Sequence, residues 1–179
     1  ILPFLLQLLM ELMMSKHFVA ILMGSDSDLP LVQNTIDILK SFNIKVEVRV
    51  ASAHRTPDVV SSFVQDSEKR GCGVYICAAG LAAHLAGAVA ARTTRPVIGI
   101  PVDGGPLKGV DALYSTVMMP GGIPVATVAV GKAGAKNAAY LAAQILALTD
   151  PELDALVKAD REKAAQEVMA KDAALQEKL

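Results

Sequence analysis

An α/β protein built on one parallel sheet, with helices on both faces, is what three features of this chain predict. Short apolar runs with the character of strands recur along it, and each is followed by a stretch whose apolar residues keep helical spacing. Gly- and Pro-marked turns separate the two kinds of segment. The 179 residues suffice for one domain with a full core, and fall short of the roughly 250 that a (β/α) barrel needs. Alternating strand and helix imply right-handed crossovers, and so a parallel sheet covered on both sides.

The elements follow in order. Phe18-Val19-Ala20-Ile21-Leu22-Met23 is continuously apolar and closed by Gly24, as a buried parallel strand should be. The loop Gly24-Ser25-Asp26-Ser27-Asp28 comes next. Pro30 opens a helix to about Phe42, with Val32, Ile36 and Leu39 at helical spacing. Residues 44–50 alternate apolar and charged side chains, the period of a strand, and a helix is expected from about Pro57 to Arg70. Gly71-Cys72-Gly73 turns the chain into a third strand at 74–78, Gly80 marks its exit, and 82–93 reads as an Ala-rich buried helix. A fourth strand at 97–100 stops at Pro101, and a Gly/Pro loop at 102–108 leads to a short helix around 110–118. Pro120-Gly121-Gly122 is a turn, 124–130 the fifth strand, and 133–148 a very apolar helix. After Asp150-Pro151 a charged helix runs to about Lys171, with Leu153, Leu156 and Val157 on one side. Five strands in this arrangement predict a flavodoxin-like three-layer α/β/α sandwich. One domain is expected over 15–171, with a tail at 172–179.

Residues 1–14 are apolar apart from Gln7 and Glu11. They are fewer than the ~20 a membrane span requires, and they lack the basic leader and cleavage site of a secretory signal. Two readings stand: a non-native extension ahead of a start near Met14, or an amphipathic helix docking on a partner subunit. The expected compartment is the cytoplasm, with no membrane association.

Composition narrows the function. A chain 53% hydrophobic and 20% charged is a folded one. A net charge of −1, with Lys and Arg scattered, offers no basic stripe for duplex nucleic acid. Without Trp, and with 4% aromatics, a base-stacking platform is not expected either. Cys72 and Cys77 flank the third strand without ligand-like spacing, and the three histidines lie far apart in sequence, so no metal site is expected. The cysteines read as small buried residues.

The most informative stretch is Ala51-Ser52-Ala53-His54-Arg55-Thr56-Pro57. It lies where the second strand hands over to a helix, and open α/β sheets bind ligands beyond the carboxyl ends of their strands. Histidine exchanges a proton near neutral pH, and Arg55 beside it is a planar fork for anions. Ser52 is also a candidate cap for the next helix. In Gly24-Ser25-Asp26-Ser27-Asp28, the helix N-terminus favours anions, while two carboxylates suit ribose hydroxyls better than phosphate. Plain N-capping explains the same residues. Ala82-Ala83-His84-Leu85 follows the third strand, and His84 reads either as a helix-start residue or as part of a site. Three loops after the first three strands thus bring polar groups to one sheet edge. The later stretches 120–124 and 131–137 add backbone donors, with Lys132 reaching an anion or a helix end.

Together with Met119-Pro120-Gly121-Gly122-Ile123-Pro124-Val125 and Gly131-Lys132-Ala133-Gly134-Ala135-Lys136-Asn137-Ala138-Ala139, these motifs resemble the PurE family of purine biosynthesis, specifically its bacterial mutase branch. The resemblance covers residues 19–149. It implies an isomerase that moves a carboxylate from the exocyclic nitrogen of an aminoimidazole ribonucleotide to ring carbon C4, without metal or other cofactor. His54 is then the general acid/base. Ser25, Asp28, Ser52, Arg55, Gly80, Ala82, His84 and Leu85 are implied to hold substrate. A homo-octamer and a hand-over from the ATP-dependent synthetase of the labile carbamate are implied as well. Leu81, Ala78, Ala86 and Ala88 depart from the pattern, where Gly, Gly, Pro and Met are usual. The related carboxylase, which takes free carbon dioxide, tends to carry Lys at the position of Arg55 and lacks Ala-Ala-His-Leu. A non-enzymatic receiver would need an acceptor Asp at the end of the third strand, where this chain has Cys77-Ala78-Ala79-Gly80. A flavin carrier would need a hydroxyl-rich phosphate loop and aromatic ring partners.

Overall fold

The computed structural model describes residues 17–179, so residues 1–14 lie outside the described residues. Five strands form one sheet: β1 (Phe18–Met23), β2 (Val46–Val50), β3 (Cys72–Ala79), β4 (Val97–Pro101) and β5 (Ala126–Thr127). Every pairing is parallel, in the order β2-β1-β3-β4-β5. The continuously apolar β1 is buried along its whole length near the centre, whereas the alternating β2 takes the half-exposed edge. Binary pattern thus sorted the strands into centre and edge.

Six helices accompany the sheet, α1 (Leu29–Ser41), α2 (Pro57–Lys69), α3 (Leu85–Ala90), α4 (Val110–Val117), α5 (Lys132–Ala147) and α6 (Pro151–Gln176), the last packing on α5. On one face Val19, Ile21 and Met23 pack against Val32, Ile36 and Leu39 of α1 and the alanines of α5. On the other, Ala20 and Leu22 meet Val60, Phe63 and Val64 of α2 and Leu85, Ala86 and Val89 of α3. This is the expected three-layer sandwich. Two buried hydroxyls tie its elements together: Thr35 Oγ1 donates to the Ala135 carbonyl at 2.7 Å, joining α1 to α5, and the Tyr75 hydroxyl donates to the Val64 carbonyl at 3.0 Å. Small residues let α5 sit close. A Cβ at Gly134 would run into the Ala129 carbonyl, so only glycine fits there.

Four boundaries differ from the sequence reading. The helix expected over 82–93 is only α3, Leu85–Ala90. Leu81 turns the chain at φ +55, and the Ala83 and His84 amides donate two residues back, to Leu81 and Ala82, instead of into a helix. The fifth strand shrinks from seven residues to Ala126–Thr127, because Pro124 has no N–H for the ladder and the Ala129 carbonyl swings into the first turn of α5. β3 extends to Cys72–Ala79, so Cys72 and Cys77 lie inside the strand rather than flanking it, both buried and unbridged. Burial raises both thiols, that of Cys72 to about 11. Finally, the charged helix continues to Gln176. Leu153 is buried and Val157 packs on the core, but Leu156 faces outward.

Candidate active site

Backbone bonds tie the strand exits into one rim. The Ala51 N–H donates to the Met23 carbonyl at 2.9 Å, Gly24 N–H to Ala78 at 3.2 Å, and Val102 N–H to Ala79 at 2.9 Å. The rim lies where the strand order reverses between β1 and β3, the crevice in which doubly wound sheets hold ligands.

The loop after β2 is folded by its own side chains. Ser52 Oγ accepts the Arg55 N–H at 3.1 Å, and Thr56 Oγ1 accepts the Ser52 N–H at 2.9 Å. Ser52 therefore closes this loop rather than capping α2, whose N-cap is Thr56. The closure turns His54 and Arg55 outward. Arg55 Nη2 reaches the Gly24 carbonyl at 3.1 Å and fastens the second loop to the first.

His54 Nε2 lies 2.7 Å from His84 Nδ1, with the rings edge to face and 4.9 Å between centroids. His84 stands at the N-cap position of α3 but makes no cap there, so its ring is free for His54. At that distance the two nitrogens share one proton, one ring donating and the other accepting. Two residues 30 apart in sequence thus form one proton-holding unit.

In the first loop, Ser25 does cap a single 3-10 turn, Asp26–Asp28, accepting the Ser27 N–H at 3.3 Å and its hydroxyl at 2.8 Å. Asp28 makes no side-chain cap. Burial raises its carboxyl above the usual range, the Asp26 charge adds to this, and a hydrogen bond from the Ser25 backbone partly offsets it.

These loops enclose a cleft of about 340 Å³. Of the nine residues singled out by sequence, Ser52, His54, Arg55, Gly80, Ala82, His84 and Leu85 line it. Ser25 and Asp28 do not; they stand just beyond Gly24, which does. The wall also holds Ala53, Ala79 and Leu81, none of them among those nine. Their signal was positional, since each belongs to or follows a strand's carboxyl end. The stretches 120–124 and 131–137 stay outside the cleft, and Lys132 is an exposed first residue of α5.

Comparison with known proteins identifies the chain's relatives. Residues 18–167 match the family model described as AIR carboxylase. The chain is 50% identical over 153 residues to the N5-carboxyaminoimidazole ribonucleotide mutase of Thermotoga maritima, covering 86% of this chain and 88% of the relative. It is 56% identical over 135 residues to the Escherichia coli protein of that name, covering 75% and 80%. The crystal structure of Treponema denticola PurE superposes with a TM-score of 0.81 at 36% identity, over 88% of this chain and 98% of that one. With its sheet and some nine-tenths of its described length matched in this way, the chain belongs to the AIR carboxylase family.

Proposed function

We propose that the chain is an isomerase of purine biosynthesis, converting N5-carboxyaminoimidazole ribonucleotide to 4-carboxy-5-aminoimidazole ribonucleotide. The mutases named above carry that activity in their names. The observation that carries the chemistry is the His54–His84 pair at 2.7 Å within the cleft. The carbamate nitrogen takes the proton held by His54, its bond to the carboxyl carbon breaks, and carbon dioxide is released beside the ring. Ring carbon C4 then attacks that carbon dioxide. The vacated imidazole nitrogen removes the C4 proton, which restores aromaticity and returns His54 to its starting state. An acid that recovers its own proton suits a reaction with no net proton change. His84 holds the His54 ring and its tautomer in place.

Arg55 supplies charge for the substrate phosphate, and Asp28 and Ser25 take the ribose hydroxyls, with Ser52 holding Arg55 in position. Gly80, Ala82 and Leu85 form the small, apolar wall against the imidazole. Assembly belongs to the same reading. On α4, Val110, Tyr114 and Val117 are exposed at helical spacing, with Met118 beside them. Such a stripe supports packing between copies, and a homo-octamer is the assembly proposed. Activity in the cytoplasm, with carbamate handed over by its ATP-dependent synthetase, completes the proposal. Among the described residues no helix is long and apolar enough to cross a membrane.

The family model's description keeps direct carboxylation as the competing reading. Supplying each substrate separately decides between them. Turnover of the carbamate alone is expected; turnover only with aminoimidazole ribonucleotide and bicarbonate would overturn the isomerase assignment.

A further inference from the structure

Leu81 is unusual on three counts. It is a leucine in the left-handed region, φ +55, where a side chain with a Cβ is strained. It lines the cleft yet leaves 54% of its surface exposed. And its Cδ2 occupies the notch that Gly105 leaves: a Cβ at Gly105 would lie 2.5 Å from it. The exits of β3 and β4 already run side by side, joined by the Val102 N–H to the Ala79 carbonyl at 2.9 Å. Leu81 carries that contact outward to the 102–109 loop, exposed over Gly105–Lys108, whose own backbone turns at Gly105 and Lys108.

Glycine at 81 would relieve the strain, and more than half of the leucine already faces solvent, so burial is a weak reason for this side chain. Its neighbours Gly80 and Ala82 are too small to reach across. Carbon dioxide, neutral and apolar, offers Arg55 and the serine hydroxyls almost nothing to grip, so walls must retain it.

We propose that Leu81 pins the 102–109 loop beside the mouth of the cleft and so sets how often the liberated carbon dioxide is recaptured rather than lost. This rests on the isomerisation proposed above. Each loss breaks the same N–C bond and leaves aminoimidazole ribonucleotide, with the proton from His54 now on its amine, and free carbon dioxide.

The test uses the carbamate substrate labelled with ¹³C in its carboxylate, in unlabelled bicarbonate buffer, with the parent chain, Leu81→Gly and Leu81→Met. The parent is expected to pass its label to the C4 product. Leu81→Gly should release about fivefold more aminoimidazole ribonucleotide per product formed, as loss of a contact near 1 kcal/mol would give. Leu81→Met, which restores apolar reach, should return the ratio toward that of the parent. If Leu81→Gly turns over and keeps its label as the parent does, the role of Leu81 falls and the isomerisation stands. If the parent itself does not convert the labelled carbamate, the isomerisation falls and takes this inference with it.

Discussion

Of two hollows among the described residues, the larger is not the one proposed to be reactive. Between α5 and α6 lies a space of about 490 Å³ bordered by Tyr140, Leu141, Gln144, Asp160 and Arg161. The cleft at the sheet rim is about 340 Å³. In the hollow, the Tyr140 hydroxyl donates to Asp160 Oδ2 at 3.0 Å, and the Tyr140 ring is packed edge-on against Phe42 at 5.9 Å. That hydrogen bond joins two helices adjacent in sequence. In the cleft, three loops far apart in sequence meet and set His54 Nε2 2.7 Å from His84 Nδ1, the pair proposed above to pass a proton to substrate. Volume measures how imperfectly two elements pack; chemistry needs groups from separate elements aimed at one point.

Four substitutions sharpen or break that contrast, and the largest effect is expected at His54. Its variant His54→Asn should lower kcat by about 10²–10⁴-fold, the usual worth of a general acid/base, while nucleotide affinity stays within about tenfold, or about 1.4 kcal/mol. Retention of most activity, measured as turnover of the carbamate, would show that the proton moves by another route. Next comes Arg55→Ala, which removes a charged hydrogen-bond donor worth roughly 1.5–3 kcal/mol. Calorimetric titration with the nucleotide should show that loss in affinity, with kcat changed much less. A fall in kcat alone would place Arg55 in the chemistry instead of in binding.

In the hollow, Tyr140→Phe should cost about 1 kcal/mol of stability in chemical denaturation, as one hydrogen bond does, and leave kcat/KM unchanged. A marked loss of activity would mean that the two cavities are coupled, and the distinction drawn between them would fail. The smallest effect belongs to Asp28. Its folded-state carboxyl is raised, chiefly by burial, so the charged form is disfavoured by folding. That penalty is present near neutral pH, begins to fade as pH falls through the raised folded value, and is gone below the ordinary carboxylate value. Asp28→Asn should accordingly stabilise the chain near neutral pH and lose this advantage in acid, while weakening nucleotide binding. Unfolding midpoints that show an equal gain at both pH values would contradict the assignment.

Much of this is legible in the sequence, for identifiable reasons. The continuous apolarity of 18–23 and the alternation of 44–50 told centre from edge, because a strand covered on both faces has no use for polar side chains. Pro30 and Pro57 fell in the first turns of α1 and α2, where a missing N–H is harmless. Seven of nine candidate residues reached one cleft because each stood just past a strand's carboxyl end. Where local pattern failed, a neighbour had decided. The alanines at 82–83 have high helix propensity, yet the turn at Leu81 and its short local bonds keep them in a loop. The apolar run at 124–130 looked like a strand, but only two of its residues pair with β4.

The sequence by itself determined the layered α/β architecture, the motif residues and their order, since periodicity, turn chemistry and strand ends are local properties. Only the tertiary structure decided that His54 faces His84, that Arg55 clasps the Gly24 carbonyl, and that Leu81 fits the notch at Gly105. Each of those contacts joins segments roughly 24 to 31 residues apart by chain count. Their distance in space depends on which strands pair and how the sheet twists, and no stretch of sequence read alone contains that information.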